Sequence, residues 1–251
     1  MLRLIKRPEE AGGEKLTAAG YSPQLARLLA MRGVHTPEEA RRFLNPSLDD
    51  LSEPKAIYGM EAALETIRGA MERGAKIVVY GDYDEDGVCA TTLLTQALRE
   101  HGANAANRIP SRHSEGYGLN AEAVREIAAE YELLITVDCG ITSVAEAALA
   151  RELGLKLVVT DHHEPPERLP QADAVVDPLL GAGCGRGLCG AGVALKIVQG
   201  LWGLEAAEPL VELAALATVA DMVPLTGENR AIVSLGLGQL QKTKRPGLRE
   251  L

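Results

Sequence analysis

Residues 76–88 read KIVVYGDYDEDGV. The run Ile77-Val78-Val79-Tyr80 is apolar and β-branched, the composition of a buried strand. Gly81 ends it, and carboxylates follow at alternate positions, Asp82, Asp84 and Asp86. Gly87 then permits a sharp turn, and helical composition resumes at Val88. The acids therefore sit at the C-terminal end of a strand, where open α/β sheets bind ligands. Carboxylates this crowded repel one another and resist ionising together. A hard divalent cation removes that penalty, so the stretch reads as a metal site.

Two rival readings of these residues fare worse. Asp82-x-Asp84-x-Asp86-Gly87 also opens like an EF-hand calcium loop, but that loop needs a preceding helix and a bidentate Glu where this chain has Leu93. A phosphatase of the haloacid-dehalogenase type carries its nucleophile in a strand-end DxD, which either pair of neighbouring acids supplies. That reading leaves the later motifs unexplained.

The strand-then-acid pattern recurs downstream. Strands are expected at 133–137, ending in Asp138-Cys139-Gly140, at 156–160, ending in Asp161-His162-His163, and at 174–176, ending in Asp177-Pro178. A weaker strand is expected at 104–109, followed by a polar loop over 110–119. Helices are expected at 60–73, 88–101, 120–131 with Asn120 as N-cap, and 143–153 with Ser143 as cap and Gly154 behind it. A glycine-rich loop at 181–192 leads to helices near 193–202, 208–220 and 228–241, with Asp221 closing the second. This alternation predicts an α/β fold: a doubly wound, mainly parallel sheet flanked by helices. Residues 1–60 read as a lead-in with short helices at 25–31 and 38–43. Residues 61–241 read as the main domain, and the basic stretch 242–251 as the start of a linker without a terminal element of its own.

With 251 residues and 46% hydrophobic content, the chain can bury one large core plus a small appendage. Neither a signal-peptide core nor an apolar run of membrane-spanning length is evident. Cys89, Cys139, Cys184 and Cys189 show neither a disulfide framework nor paired zinc spacing, so reduced thiols in a cytoplasm are expected. A net charge of −9 is the wrong sign for a freestanding nucleic-acid binder, and 3% aromatic residues leave few platforms for base stacking. Part of that acid excess belongs to groups a metal would neutralise.

Each strong strand thus ends in a metal-type ligand, and parallel strand ends converge in space. Asp221 could join them. A carboxylate-rich cluster with one or two imidazoles suits Mn²⁺ or Mg²⁺ better than structural zinc. These residues resemble the DHH phosphoesterase superfamily. The motifs GDYDEDG (81–87), RHSEGYG (112–118), GAGVA (190–194), VADMVPL (219–225) and GENR (227–230) are similar to its RecJ branch of single-strand-specific exonucleases. The lead-in, with FLNP (43–46) and MEAA (60–63), is RecJ-like too.

The resemblance implies roles by position. Asp84, Asp86, Asp138, His162 and Asp221 match the family's metal ligands, and Asp82 lies close to where other branches carry a metal-binding His. His163 matches the second His, expected beside the scissile phosphate as an electrophile or proton donor, while Asp161 would orient a ligand from behind. Arg112, Glu115 and Tyr117 fall in a loop with a substrate-side role. Gly190 and Gly192 could offer N–H groups to a phosphate, with tight helix packing as an equal reading. Arg230 would contact phosphate, with a surface ion pair as the competing reading. The implied cofactors are two Mn²⁺ or Mg²⁺ ions. The implied reaction is hydrolysis of single-stranded DNA from its 5′ end, in DNA repair and recombination. A repair helicase or single-strand-binding protein is the implied partner. Proteins of this branch continue into a second core domain, so the chain reads as a truncated N-terminal catalytic part. The alternatives are a catalytically incomplete metal-binding domain and a small-nucleotide phosphodiesterase.

Overall fold

The computed structural model describes residues 13–250. In chain order the helices are α1 (Glu14–Ala18), α2 (Pro23–Ala30), α3 (Pro37–Leu44), α4 (Met60–Glu72), α5 (Glu85–Glu100), α6 (Ala121–Glu130), α7 (Val144–Glu152), α8 (Gly190–Trp202), α9 (Leu204–Ala207), α10 (Val211–Ala220), α11 (Gly227–Leu240) and α12 (Pro246–Glu250). The strands are β1 (Lys76–Gly81), β2 (Asn104–Arg108), β3 (Leu133–Val137), β4 (Lys156–Thr160) and β5 (Ala174–Val176). All pair in parallel, in the order β2-β1-β3-β4-β5.

The two-residue period of the strands sorts their side chains into two cores. Ile77, Val79, Leu133, Ile135, Val137, Val158 and Val176 pack into one cluster with α4, α5, α8 and α10. Val78, Tyr80, Leu134, Leu157 and Val159 pack into the other, with α6 and α7. A sheet covered on both faces needs strands that are apolar throughout, and every residue of β3 is buried. The chain leaves β1 toward β2 on one side, then returns to place β3, β4 and β5 on the other. The order therefore reverses between β1 and β3, the switch point at which such sheets open a crevice beyond their C-terminal ends. The expected doubly wound sheet is the observed one.

Local boundaries differ from expectation where side chains cap the backbone. Helix α5 begins at Glu85, not Val88, because the Asp84 side chain accepts the Gly87 N–H at 2.9 Å and draws the whole acidic run into the first turn. Gly87 is needed for close approach: a Cβ there would lie 2.5 Å from the Asp82 carbonyl oxygen. Helix α8 begins at Gly190, inside the stretch expected as loop. Ser143 precedes α7 but makes no capping bond, whereas Asn120 caps α6 by accepting the Ala123 N–H. The stretch expected to lack a terminal element carries α12. Arg245 in front of it reaches Glu212 Oε1 at 2.6 Å and Gln96 Oε1 at 2.6 Å.

Helices α1–α3 enclose a small core of their own around Leu16, Ala26, Leu29, Val34 and Ala40. Leu51 and Ile57 pack instead with the main core. The fully buried Lys196 of α8 holds this junction: its ammonium pairs with Glu228 at 2.9 Å and donates to the Ser52 carbonyl. Ser52 Oγ in turn donates to Glu228 at 2.9 Å. Among the described residues, no helix is long and apolar enough to cross a membrane.

Candidate metal centre

The ends of β1, β3 and β4 bring the acids and imidazoles together at the switch point. His162 Nε2 is the hub, lying 3.0 Å from Asp138 Oδ1, 3.6 Å from Asp86 Oδ2 and 4.0 Å from Asp221 Oδ2. Among the described residues, three overlapping sets of donor atoms each fall within 4.8 Å of one another: Asp82, Asp84 and Asp138; Asp86, His162 and Asp221; and Asp138, His162 and His163. All six residues expected as ligands therefore fall within these sets.

Each is held by its local structure. Asp86 is buried, and both its oxygens accept N–H groups from the start of α8, Gly190 at 2.6 Å and Ala191 at 2.7 Å. The positive end of a helix fixes this carboxylate in place. Asp138 adopts φ 58°, a left-handed conformation that costs a non-glycine residue about 1–3 kcal/mol and marks sites the surroundings over-determine. The close-packed N-terminus of α8 supplies that constraint. A Cβ on Gly190 would lie 2.5 Å from Asp138 Cβ. Asp221 caps the C-terminus of α10, a third exposed at the rim of the cluster.

Asp161 is buried behind the histidines. Its Oδ2 accepts the Ile141 N–H at 2.9 Å, and its Oδ1 accepts from His162 N at 2.8 Å and pairs with His163 Nδ1 at 2.7 Å. The His163 side chain itself is half-exposed. Burial pushes the Asp161 carboxyl up, but the His163 and Ile141 hydrogen bonds outweigh it and hold it below the usual range. His163 is raised to about 9, first by its bond to Asp161. Asp138 is raised to about 8, first by burial and further by Asp86, against the opposing pull of His162. Burial also raises Asp82 and Asp221.

These directions set a pH dependence for the metal-free chain. Between the ordinary carboxylate range and about 8, folded Asp138 keeps a proton the unfolded chain has released, so stability falls as pH rises there. The His163–Asp161 pair stabilises fully below 6.5 and is lost as pH rises through about 9. Both effects share a sign. The melting temperature without metal should fall from about pH 6 to about pH 9, and the rise caused by Mn²⁺, which competes with those protons, should grow over the same span. Differential scanning fluorimetry with and without Mn²⁺ checks this. A metal-free melting temperature that climbs with pH would contradict it.

The donor set fits a hard divalent cation. Asp82 Oδ1 is buried with no hydrogen-bond partner among the described residues, beside Asp84 and Asp138. A carboxylate oxygen left this way is costly unless a cation or proton meets it. Carboxylates with one imidazole match Mn²⁺ or Mg²⁺.

The expected substrate-side residues divide. Arg112 stacks its guanidinium 4.4 Å over the Tyr83 ring, between Asp82 and Asp84 in sequence. Tyr117, exposed, meets Tyr83 and His163 edge-on, with centroids 6.4 Å apart in each case. These two therefore border the centre. Glu115 braces its own loop, pairing with Arg108 at 3.0 Å and accepting the Ser111 N–H. For the glycines the packing reading wins: Gly190 gives its N–H to Asp86, and Gly192 lies within α8, where a Cβ would sit 3.0 Å from Leu188. Arg230 turns to α3, stacking 3.7 Å over Phe43 and donating to the Phe43 carbonyl. Sequence reading missed Tyr83 and the anchoring of Asp86, whose partners lie 104 and 105 residues away.

Comparison with known proteins places this geometry. The model of the DHH family, N-terminal domain, matches residues 76–220. The single-stranded-DNA-specific exonuclease RecJ of Bacillus subtilis is 43% identical over 98% of the chain and 32% of its own length. RecJ of Escherichia coli is 36% identical over 93% of the chain and 43% of its own length. The chain thus spans about a third to under half of these relatives. Among solved structures, RecJ of Thermus thermophilus in complex with Mn²⁺ superposes with a TM-score of 0.84 at 34% identity, over 99% of this chain and 36% of that one. A manganese-bound exonuclease RecJ gives 0.73 at 39% identity, over 77% of this chain and 51% of that one. By its sequence, its sheet and the strand ends that carry its acids, the chain belongs to the DHH family.

Proposed function

We propose that this chain is the catalytic DHH portion of a metal-dependent, single-stranded-DNA-specific 5′-to-3′ exonuclease of RecJ type. The observation that carries the reading is His162 Nε2 facing three carboxylates at the switch point of the sheet, beside a buried, unpartnered oxygen of Asp82. Asp82, Asp84, Asp86, Asp138, His162 and Asp221 would hold the cations. Bound there, two Mn²⁺ or Mg²⁺ ions would supply charge neutralisation at the phosphate and a water of lowered pKa. His163, oriented through Nδ1 by Asp161, keeps Nε2 for the scissile phosphate, where a charged imidazole offsets developing negative charge or donates a proton to the leaving oxygen. Tyr117 and Tyr83 offer ring faces and edges to a base, and Arg112 adds positive charge at the same lip. Residues 61–241 would form the DHH domain, 1–60 a lead-in, and 242–251 the start of a linker. The cellular setting would be cytoplasmic DNA repair and recombination, alongside a helicase or single-strand-binding protein.

The test is turnover with Mn²⁺ on 5′-labelled single-stranded DNA, duplex DNA and a dinucleotide. Release of mononucleotides from the single strand alone is expected. Because the chain carries a net charge of −9, binding should be weak and its salt dependence shallow, the slope counting the few phosphates neutralised. Hydrolysis confined to the dinucleotide would assign a small-nucleotide phosphodiesterase instead. Metal binding without turnover on any substrate would assign a domain that needs a further part.

A further inference from the structure

Asp177 ends β5 one strand beyond the His-bearing end of β4. Thr160 pairs with Val176, and Asp161 N donates to the Val176 carbonyl at 3.0 Å, so Asp177 stands level with the Asp161-His162-His163 run. Its residue is fully buried. One oxygen, Oδ1, accepts the Leu179 N–H at 2.8 Å and closes a turn before Pro178 and Leu179. The other, Oδ2, is buried and has no hydrogen-bond partner among the described residues. A turn of this kind needs one acceptor oxygen, which Asn or Ser would supply as well. A second, unsatisfied carboxylate oxygen in the interior costs free energy unless it has a further use.

The groups acting on Asp177 show where that use lies. Burial pushes its carboxyl up to about 6, and the charges felt next are those of Asp161, His162 and His163. Asp161 offers no donor. His163 spends Nδ1 on Asp161. The hydrogen bonds of His162 are made by its backbone N and by Nε2, the nitrogen that faces Asp138, Asp86 and Asp221. Its Nδ1 remains. A metal-ligating imidazole almost always donates its second N–H to a carboxylate or carbonyl, which fixes the tautomer and the ring plane. Asp177 belongs to none of the three donor sets, so it stands outside the centre rather than within it.

We propose that Asp177 is a positioning residue for His162: its Oδ2 accepts the Nδ1–H of the imidazole and aims Nε2 at the cation. This rests on the reading of the strand ends as a metal centre. The bond is the one His162 makes when Nε2 turns from Asp138 to a metal.

Two variants separate this role from the turn. Asp177→Ser keeps an oxygen for Leu179 and removes the second acceptor. Asp177→Asn keeps an oxygen for Leu179 and puts an N–H donor in place of the second acceptor. Mn²⁺ titration of the 251-residue chain by calorimetry should show a dissociation constant about 10–100-fold weaker in both Asp177→Ser and Asp177→Asn. In ¹⁵N-histidine-labelled protein with Mg²⁺, the parent should show His162 protonated at Nδ1, with a low-field proton. That proton should move from its low-field position or be lost to exchange in both variants. A purely structural Asp177 would move neither the tautomer nor this proton. If Asp177→Ser fails to fold, Asp177→Asn still decides, because an unshifted proton there overturns the proposal. Parent-like Mn²⁺ affinity in Asp177→Ser overturns it too while leaving the metal centre intact. A parent chain that takes up no Mn²⁺ overturns the metal reading itself.

Discussion

Asp138→Ala is expected to abolish the rise in melting temperature that Mn²⁺ gives the parent chain. A ligand that binds only the folded state stabilises it by mass action, about 2.7 kcal/mol at a hundredfold excess over its dissociation constant. In a chain of this size that is a shift of roughly 5–10 °C. Asp138 sits in two of the three donor sets and bonds the hub imidazole at 3.0 Å, so its loss removes a ligand and leaves His162 without its present partner. The metal-free variant should be affected far less. The buried carboxyl is held protonated near neutral pH, and removing it relieves a desolvation cost. The φ of 58° opposes that gain, since Ala tolerates the left-handed region poorly. Asp138→Asn, whose side chain suits that region, is therefore the control. A Mn²⁺ response unchanged in Asp138→Ala would remove this residue from the site.

The second large effect separates binding from chemistry. His162→Ala should weaken Mn²⁺ binding, because Nε2 of His162 is the atom on which Asp86, Asp138 and Asp221 converge. His163→Ala should leave binding nearly intact, because its Nδ1 is turned to Asp161. The same variant should lower phosphodiester hydrolysis by roughly 10²-fold or more, the loss typical of a positioned acid or charge stabiliser. Calorimetry with Mn²⁺ alongside single-turnover rates checks the division. Equal loss of metal in both variants would contradict it.

Much of this arrangement is legible in the chain because the chemistry lies at strand ends. The β-branched runs at 77–80, 133–137 and 156–160 mark buried parallel strands, and the residues that follow each run converge by topology alone. What sequence could not supply is side-chain direction. Arg230 reads as a phosphate contact, yet its guanidinium lies on Phe43, 187 residues earlier. Gly190 reads as a phosphate donor, yet the nearest anion is Asp86 of the protein itself. The start of α5 was hidden because an acidic DxDxDG run looks like a loop until Asp84 is seen capping the helix that contains Asp86. Asp177 stands at a strand end like the others, and a buried, unpaired oxygen outside all three donor sets distinguishes it.

The most direct measurement is anomalous diffraction at the manganese edge from crystals soaked in Mn²⁺. Two peaks are expected, roughly 3.5–4 Å apart, one among Asp82, Asp84 and Asp138 and the other among Asp86, His162 and Asp221. No peak at these strand ends under saturating Mn²⁺, or peaks only at surface carboxylates elsewhere, would contradict the metal centre on which this account rests.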